Sequence, residues 1–434
     1  MKTVGVGIVG YGTVGRGTAE IIAANAEEIR RRSGVSLRVT CVCRRSPLAV
    51  EAVLENVRIT DDWHEVVQAD DVDILVETIG GTDIAYQAVR ASLERGRPVV
   101  TANKNLVARH GDDLFALARA KNLPIGFEAT VAGGVPILSA IAEETAGDRL
   151  LAVYGILNGT VNYILSRMES ENLEFGAALA EAQRAGYAEA DPALDIDGID
   201  ARDKLCILAR LAYGGRLAPE SIPVTGVRKV EAVDLHYARR LEGTIRLVAA
   251  AEKTDSGVEL SVRPWLVDRR SMLAKVEGVN NAVFLIGEKL GTQMFYGRGA
   301  GADATGAAVV ADLVDIARSL TAGTLAARKV PGFLDQQDLP ISQMPAPVGW
   351  YMRLTVKDRP GILARVAEVI AREGMNVEAV IQERSPKERL SFVITVEPVS
   401  ETVMHRALAV IDRFDFMLEP VLLMRVEQSL VKNP

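Results

Sequence analysis

The stretch TVGVGIVGYGTVG, residues 3–15, decides the fold. Thr3 to Val9 is rich in β-branched residues and short enough to be a fully buried strand. Gly10-Tyr11-Gly12-Thr13-Val14-Gly15 follows without a gap and opens a helix expected over Gly17 to Arg31. A GxGxxG string means little by itself. Between a strand and a helix it stands in the context that a dinucleotide-binding turn requires. Gly10 allows the tight turn, Gly12 lets backbone approach a pyrophosphate, and Gly15 lets strand and helix pack closely. The unpaired N–H groups of the helix start, at Thr13 and Val14, suit the phosphates.

Working outward, a second strand over Leu37 to Cys43 ends in Arg44-Arg45. A site for NAD usually has an acidic residue here to hold the ribose 2′-hydroxyl, whereas arginines suit a 2′-phosphate. NADP(H) is therefore expected in preference to NAD(H). A third buried run, Val72 to Val76, ends at Glu77-Thr78-Ile79-Gly80-Gly81, a loop expected against the cofactor at Gly80. Helix Ile84 to Arg95, strand Pro98 to Thr101, helix Asp112 to Lys121 and strand Pro124 to Glu128 continue the alternation. Lys104, just past a strand's carboxyl end, lies on the ligand-binding rim, where a solvated and a functional lysine are equally in keeping with its position. The pattern predicts an α/β fold with a doubly wound, Rossmann-type parallel sheet.

Composition bounds the remainder. At 434 residues the chain needs more than one core. Its net charge of −7 gives no reason to expect nucleic acid or an anionic membrane as partner. No apolar run is long enough to span a bilayer. The chain enters its first strand without a signal-peptide pattern, and its three cysteines are sparse, which points to the cytoplasm. Cys41 and Cys43 alternate on a strand and read as core thiols. The four histidines are scattered, so neither a zinc site nor a histidine base is indicated.

After Arg149 the character changes to that of an α+β domain. Leu150 to Leu157 reads as a strand, Asn158-Gly159-Thr160 as a turn, and Val161 to Ser170 as a helix. The segment AQRAGYAEADPALDIDGIDARDKLCILA, residues 182–209, then concentrates Glu189, Asp191, Asp195, Asp197 and Asp200 ahead of Lys204. Pro192 and Gly198 make Glu189 to Asp197 an acidic, turn-rich loop. From Ile199 the spacing is helical, which places Asp200 and Lys204 on one face. Spacing alone describes a solvated salt bridge. The apolar run that follows makes the helix mostly buried, where a lysine can act as a proton donor, and the acidic loop suits a cationic group such as an ammonium. Further strands are expected over Val258 to Val267 and Asn281 to Ile286. Gly297-Arg298-Gly299-Ala300-Gly301 is a second glycine-rich turn, and the helix Thr305 to Ser319 after it can return the chain to the cofactor domain.

Residues 327–348, with Pro331, Pro340, Pro345 and Pro347, read as a linker. Beyond it the order strand, helix, strand, strand, helix, strand (Trp350 to Val356, Ile362 to Arg372, Val377 to Gln382, Leu390 to Val396, Glu401 to Asp412, Glu419 to Val426) is ferredoxin-like. The turn Asp358-Arg359-Pro360-Gly361-Ile362-Leu363 in this setting resembles the ACT family of amino-acid-sensing domains. That resemblance implies a regulatory ligand site at Asp358, Arg359, Gly361, Ile362 and Asn376.

GIVGYGTVG, TANK, FEATVAGGVPI, GILNGTVNYIL, AGYAEADPALDIDGIDARDK and GRGAGADATG, in this order, resemble the homoserine dehydrogenase family over nearly the whole chain. The resemblance implies NADPH-dependent reduction of L-aspartate 4-semialdehyde to L-homoserine, with L-threonine as the expected feedback effector. It implies a Rossmann domain at 1–135 completed by about 300–326, a substrate and dimerisation domain at 136–299, the linker at 327–348 and an ACT domain at 349–434. Lys204 matches the family's proton donor, Lys104 its second active-site lysine near the nicotinamide, and Asp200 and Asp195 its substrate-site acids. Glu189 matches the residue that holds the substrate's amino group, and Gly301 joins the cofactor site. Backbone carbonyls around Glu128, Val131, Gly133 and Val135 match a sodium site, and a homodimer or homotetramer is implied. Aspartate-semialdehyde dehydrogenase is the rival activity, and it needs a cysteine nucleophile. Cys206 sits in an apolar helix with no base in view.

Overall fold

β1 (Thr3–Val9) is buried from Val4 onward in this computed structural model, which describes residues 3–45, 54–328, 330–342, 346–383 and 389–427. Of the expected segments, residues 1–2, 46–53, 329, 343–345, 384–388 and 428–434 lie outside the described residues. The chain divides into two compact units, Met1–Val153 with Asp203–Ile222 and Asn281–Leu339, and Tyr154–Arg202 with Pro223–Asn280 and Pro340–Pro434.

In the first unit β1 is joined by β2 (Ser36–Cys43), β3 (Arg58–Thr60), β4 (Ile74–Glu77), β5 (Val99–Thr101) and β6 (Ile125–Gly126). These form a six-stranded sheet in the order β3-β2-β1-β4-β5-β6. Every pairing is parallel. Strand order reverses between β1 and β4, and a crevice opens there at the strands' carboxyl ends, as open α/β sheets require. The core packs Val4, Val6 and Ile8 with Ala19 and Ile22 on one side. Val309, Leu313, Ile316 and Ala317 of the helix Ala302–Ala322 belong to the same cluster. That helix crosses the helix Thr13–Ala24 at two glycines. A Cβ on Gly17 would sit 2.4 Å from the Ala302 carbonyl oxygen, and one on Gly306 would sit 2.9 Å from the Gly17 carbonyl carbon.

Three local readings are corrected. The first helix begins at Thr13 and breaks at Asn25, giving Thr13–Ala24 and Ala26–Ser33 in place of one helix from Gly17. The helix expected from Asp112 begins at Lys104 and runs to Ala120. Asn103 caps it by accepting the Leu106 N–H, and Gly111 makes room for the Phe333 ring, which would lie 2.6 Å from a Cβ there. Gly243–Thr254 is a strand that the sequence did not announce. It is buried on both faces for most of its length and so shows no alternation.

The carboxyl edge of the first sheet is tied together by a buried acid. Glu77, at the end of β4, accepts from the Thr101 hydroxyl at 2.6 Å and the Ile79 N–H at 2.7 Å. Asn103 then donates to the carbonyls of Ile79 at 3.1 Å and Gly81 at 2.7 Å, so the loop after β4 and the helix that Lys104 opens share one network. Burial pushes the Glu77 carboxyl up to about 7, against the bonds that favour its ionised form.

In the second unit the strands Gly243–Thr254 and Gly257–Asp268 form a hairpin paired without a register shift from Gly243 opposite Asp268 to Thr254 opposite Gly257. The chain's last described strand, Leu422–Val426, adds to it in parallel, with Arg425 opposite Trp265 and Val426 opposite Leu266. Val348–Val356, Leu390–Val399 and Val377–Gln382 extend the sheet antiparallel. With the helices Ile362–Arg372 and Glu401–Ile411 these four strands complete the ferredoxin-like βαββαβ order. Trp350, Met352, Val366, Ile370, Met404 and Ile411 share their core. Arg353 is buried against Asp234, 2.9 Å away, and the Tyr351 hydroxyl donates to the same carboxylate at 2.8 Å. These bonds fasten the helix Ala232–Arg240 to the strand Val348–Val356. Within residues 327–348, Val330, Phe333 and Leu339 are buried, so this stretch packs as well as connects. Among the described residues no helix is long and apolar enough to cross a membrane.

The raised Glu77 value has a sign. Folding holds a proton on Glu77 that the unfolded chain releases, so its contribution is complete below pH 4.5 and is lost as pH rises through about 7. Glu77→Gln removes this dependence. Thermal unfolding from pH 4 to 8 should show the variant's Tm gaining on that of the wild type through this window. A constant difference would mean that Glu77 is ionised throughout.

Candidate active site

The crevice at the switch point, of about 380 Å³, is lined by Gly10, Tyr11 and Gly12 from the first turn, Arg44 and Arg45 after β2, Asp61 and Trp63 after β3, and Thr78, Ile79 and Gly80 after β4. Gly10 has φ +103°, and a Cβ there would lie 2.7 Å from the Thr78 carbonyl group. Only glycine fits. Around Gly12, by contrast, a Cβ would meet nothing within 4 Å, so that side of the turn is open to a ligand. Gly15 presses against the Gly10 carbonyl, and Val14 packs on the core. The helix Thr13–Ala24 starts with no side-chain cap on its free N–H groups. A free amide cradle is what a pyrophosphate needs. Gly301, with φ +116°, is the N-cap of the helix Ala302–Ala322. Lys104 is half-buried as the first residue of its helix.

The sodium-matched residues fall in one buried turn. Glu128 is in a single 3-10 turn after β6, and its carboxylate accepts the N–H groups of Leu138 and Ser139, each at 2.8 Å. Ala132 and Gly133 both take left-handed φ, at 55° and 53°, between Val131 and Val135. Left-handed backbone at a non-glycine residue is strain of the kind held at ligand sites. Among the described residues no group of three or more histidine, cysteine or acidic side chains is placed to hold a metal, and a carbonyl site does not need one.

In the second unit the structure brings two of the expected acids together through a residue that sequence reasoning missed. Asn158 caps the helix Gly159–Glu171 with its oxygen, which accepts the Val161 N–H at 2.8 Å. Its amide nitrogen donates to Asp195 at 2.7 Å and to Asp200 at 2.8 Å. An Asn-Gly pair is a routine turn signal, so nothing local announced a residue bridging two carboxylates. Asp197 is instead paired with Arg228, whose guanidinium holds its carboxyl below the usual range. Glu189 is exposed. The expected acidic loop contains one helical turn, Ala193–Ile196. Asp200 and Lys204 lie one turn apart on the helix Ile199–Tyr213, and Lys204 is half-buried. The chain passes between the units within this helix, so that Asp200 is assigned to the second and Lys204 to the first. Cys206 is fully buried with its thiol directed at the Leu217 carbonyl, 3.3 Å away. It is not presented as a nucleophile.

At the C-terminal unit's first strand–helix turn, Gly361 takes φ +90° as the N-cap and Ile362 is buried in the core. Arg359 pairs with Asp415, and Asn376 donates to Glu397 at 3.0 Å.

Comparison with known proteins agrees with this layout. Residues 10–128 match the NAD-binding domain of homoserine dehydrogenase, residues 136–314 the homoserine dehydrogenase family, and residues 350–415 the ACT domain. The homoserine dehydrogenase of Neisseria gonorrhoeae is 39% identical over 433 residues, covering 98% of this chain and 99% of that one. The crystal structure of a homoserine dehydrogenase from Thiobacillus denitrificans superposes with a TM-score of 0.91 at 38% identity, covering 99% of each chain. A hyperthermophilic archaeal homoserine dehydrogenase in complex with NADPH covers 74% of this chain and 98% of its own, with a TM-score of 0.62 at 31% identity. A glycine turn on a parallel sheet, an acid-rich second unit and a C-terminal ACT domain thus occur together in a chain that belongs to the homoserine dehydrogenase family.

Proposed function

We propose that the chain reduces L-aspartate 4-semialdehyde to L-homoserine with NADPH. The observation that carries the reading is the pairing of Asp195 and Asp200 through Asn158, one helical turn before Lys204. When bound, the reduced nicotinamide supplies a hydride to the aldehyde carbon. The residues of the chain do the rest. Lys204 donates a proton to the carbonyl oxygen as negative charge gathers there, with Lys104 as a second cation on the nucleotide side. Asp200 orients Lys204, and Asp195 and Glu189 receive the substrate's ammonium. The crevice fits the nucleotide: an open glycine turn, an uncapped helix start and two arginines where a 2′-phosphate would lie. The complex of the archaeal relative with NADPH supports the same choice.

We further infer that the ACT unit binds L-threonine at Asp358, Arg359, Gly361, Ile362 and Asn376, and that carbonyls of the Glu128 to Val135 turn hold a sodium ion. The strained turn at Ala132 and Gly133 supports the second inference.

Lys204→Ala should lose roughly 10²–10⁴ in kcat while still binding NADPH, and Glu189→Gln should raise mainly the semialdehyde KM. Near-normal turnover would remove Lys204 from the mechanism. The ratio of kcat/KM for NADPH over NADH should favour NADPH and fall in an Arg44→Ala/Arg45→Ala double variant; an NADH preference in the wild type refutes the cofactor choice. Initial rates with L-threonine should fall in the wild type and resist it in Asn376→Ala, and rates in sodium should exceed those in choline. Indifference to either addition dismisses the corresponding inference.

A further inference from the structure

The nucleotide crevice carries opposite chemistry on different walls. Gly12, Arg44 and Arg45 suit anions. Asp61 and Trp63, which line the same crevice from the segment after β3, do not. A carboxylate repels phosphate, and an indole offers a flat apolar face. Trp63 is also braced. The His64 ring stacks on it with centroids 3.7 Å apart and planes 25° apart. His64 is held in turn by Asp62, whose carboxylate accepts the His64 N–H at 2.9 Å and lies 2.6 Å from its ring Nδ1. The imidazole thus covers one face of the indole, while Trp63 lines the crevice. Pre-organisation of this kind lowers the ordering cost of binding.

We propose that Trp63 is the platform on which the adenine ring of the dinucleotide stacks, with Asp62 and His64 as the residues that position it. The proposal rests on the crevice being the nucleotide site and is independent of which dinucleotide is preferred. Any adenine has the same π face, so the platform serves NAD and NADP alike. The choice between them is left to the arginines.

The test uses the full-length chain and two probes that lack nicotinamide: ADP-ribose, which has no 2′-phosphate, and 2′,5′-ADP, which has one. Trp63→Ala should weaken both by roughly five- to 150-fold in calorimetric titration, the span expected for one base stacked on an aromatic side chain. Trp63→Phe keeps a ring and should recover most of that loss. Intrinsic fluorescence gives a second reading, because the other two tryptophans, Trp265 and Trp350, are buried in the second unit. ADP-ribose should quench wild-type emission, and the quench should vanish in Trp63→Phe. Unchanged affinity of Trp63→Ala for ADP-ribose, or an unchanged quench in Trp63→Phe, overturns the proposal. The Arg44→Ala/Arg45→Ala variant separates the two readings. It should weaken 2′,5′-ADP alone, and a flat response there refutes the 2′-phosphate assignment while leaving the Trp63 result to stand or fall by itself.

Discussion

The crossing of two helices at Gly17 and Gly306 is the constraint on which the first unit depends. The glycine turn must present its amides over the end of β1, and this requires the helix Thr13–Ala24 to be pressed onto the sheet. The pressure comes from the helix Ala302–Ala322, whose Val309, Leu313 and Ile316 fill the same core as Val4 and Ile8. With side chains at the crossing, the helices could not approach closely enough for those residues to interlock. The N-terminal NAD-binding fold is therefore finished by sequence from far along the chain, at residues 302–322. The second glycine-rich turn, ending at Gly301, is the hinge of that return.

Electrostatics follow a similar economy of placement. Buried charges in the second unit are paired at points where separate segments of chain meet. Arg353 meets Asp234 between a strand and a helix, and Arg425 lies over the Trp265 ring, 4.5 Å from its centroid, with Glu252 and Glu259 beside it. Such pairs add little net stability compared with an apolar replacement, but each fixes one register, since breaking it leaves a charge without compensation. In the candidate site the acids are instead bridged by a neutral amide, Asn158.

Much of this was legible in the sequence. The fingerprint at residues 10–15 and the parallel alternation after it depend on short-range rules of glycine geometry and hydrophobic runs. The ferredoxin-like order at the C-terminus shows in clean period-2 and 3.6-residue patterns, and two of its elements, Ile362–Arg372 and Val377–Gln382, have the bounds read from sequence. What escaped depends on distant partners. The helix Lys104–Ala120 starts earlier than the run expected from Asp112, and what Gly111 makes room for within it, the Phe333 ring, lies far along the chain. The strand Gly243–Thr254 hid because burial on both faces erases alternation. Asn158 and Trp63 were passed over because a turn asparagine and a lone tryptophan have routine local explanations. Their neighbours in space give them meaning.

The strand Leu422–Val426 lies beside Gly257–Asp268, where the Glu427 N–H donates to the Leu266 carbonyl and the Glu427 carboxylate accepts from Asp268. The final described residues of the chain thus complete a sheet begun much earlier. During synthesis on the ribosome, the Gly257–Asp268 backbone must wait with one margin unsatisfied until Val426 has emerged. An unsatisfied strand margin is where nascent chains aggregate, and where chaperones have reason to bind. The sensor-like segment is therefore no late accessory to a finished enzyme: its arrival closes the fold.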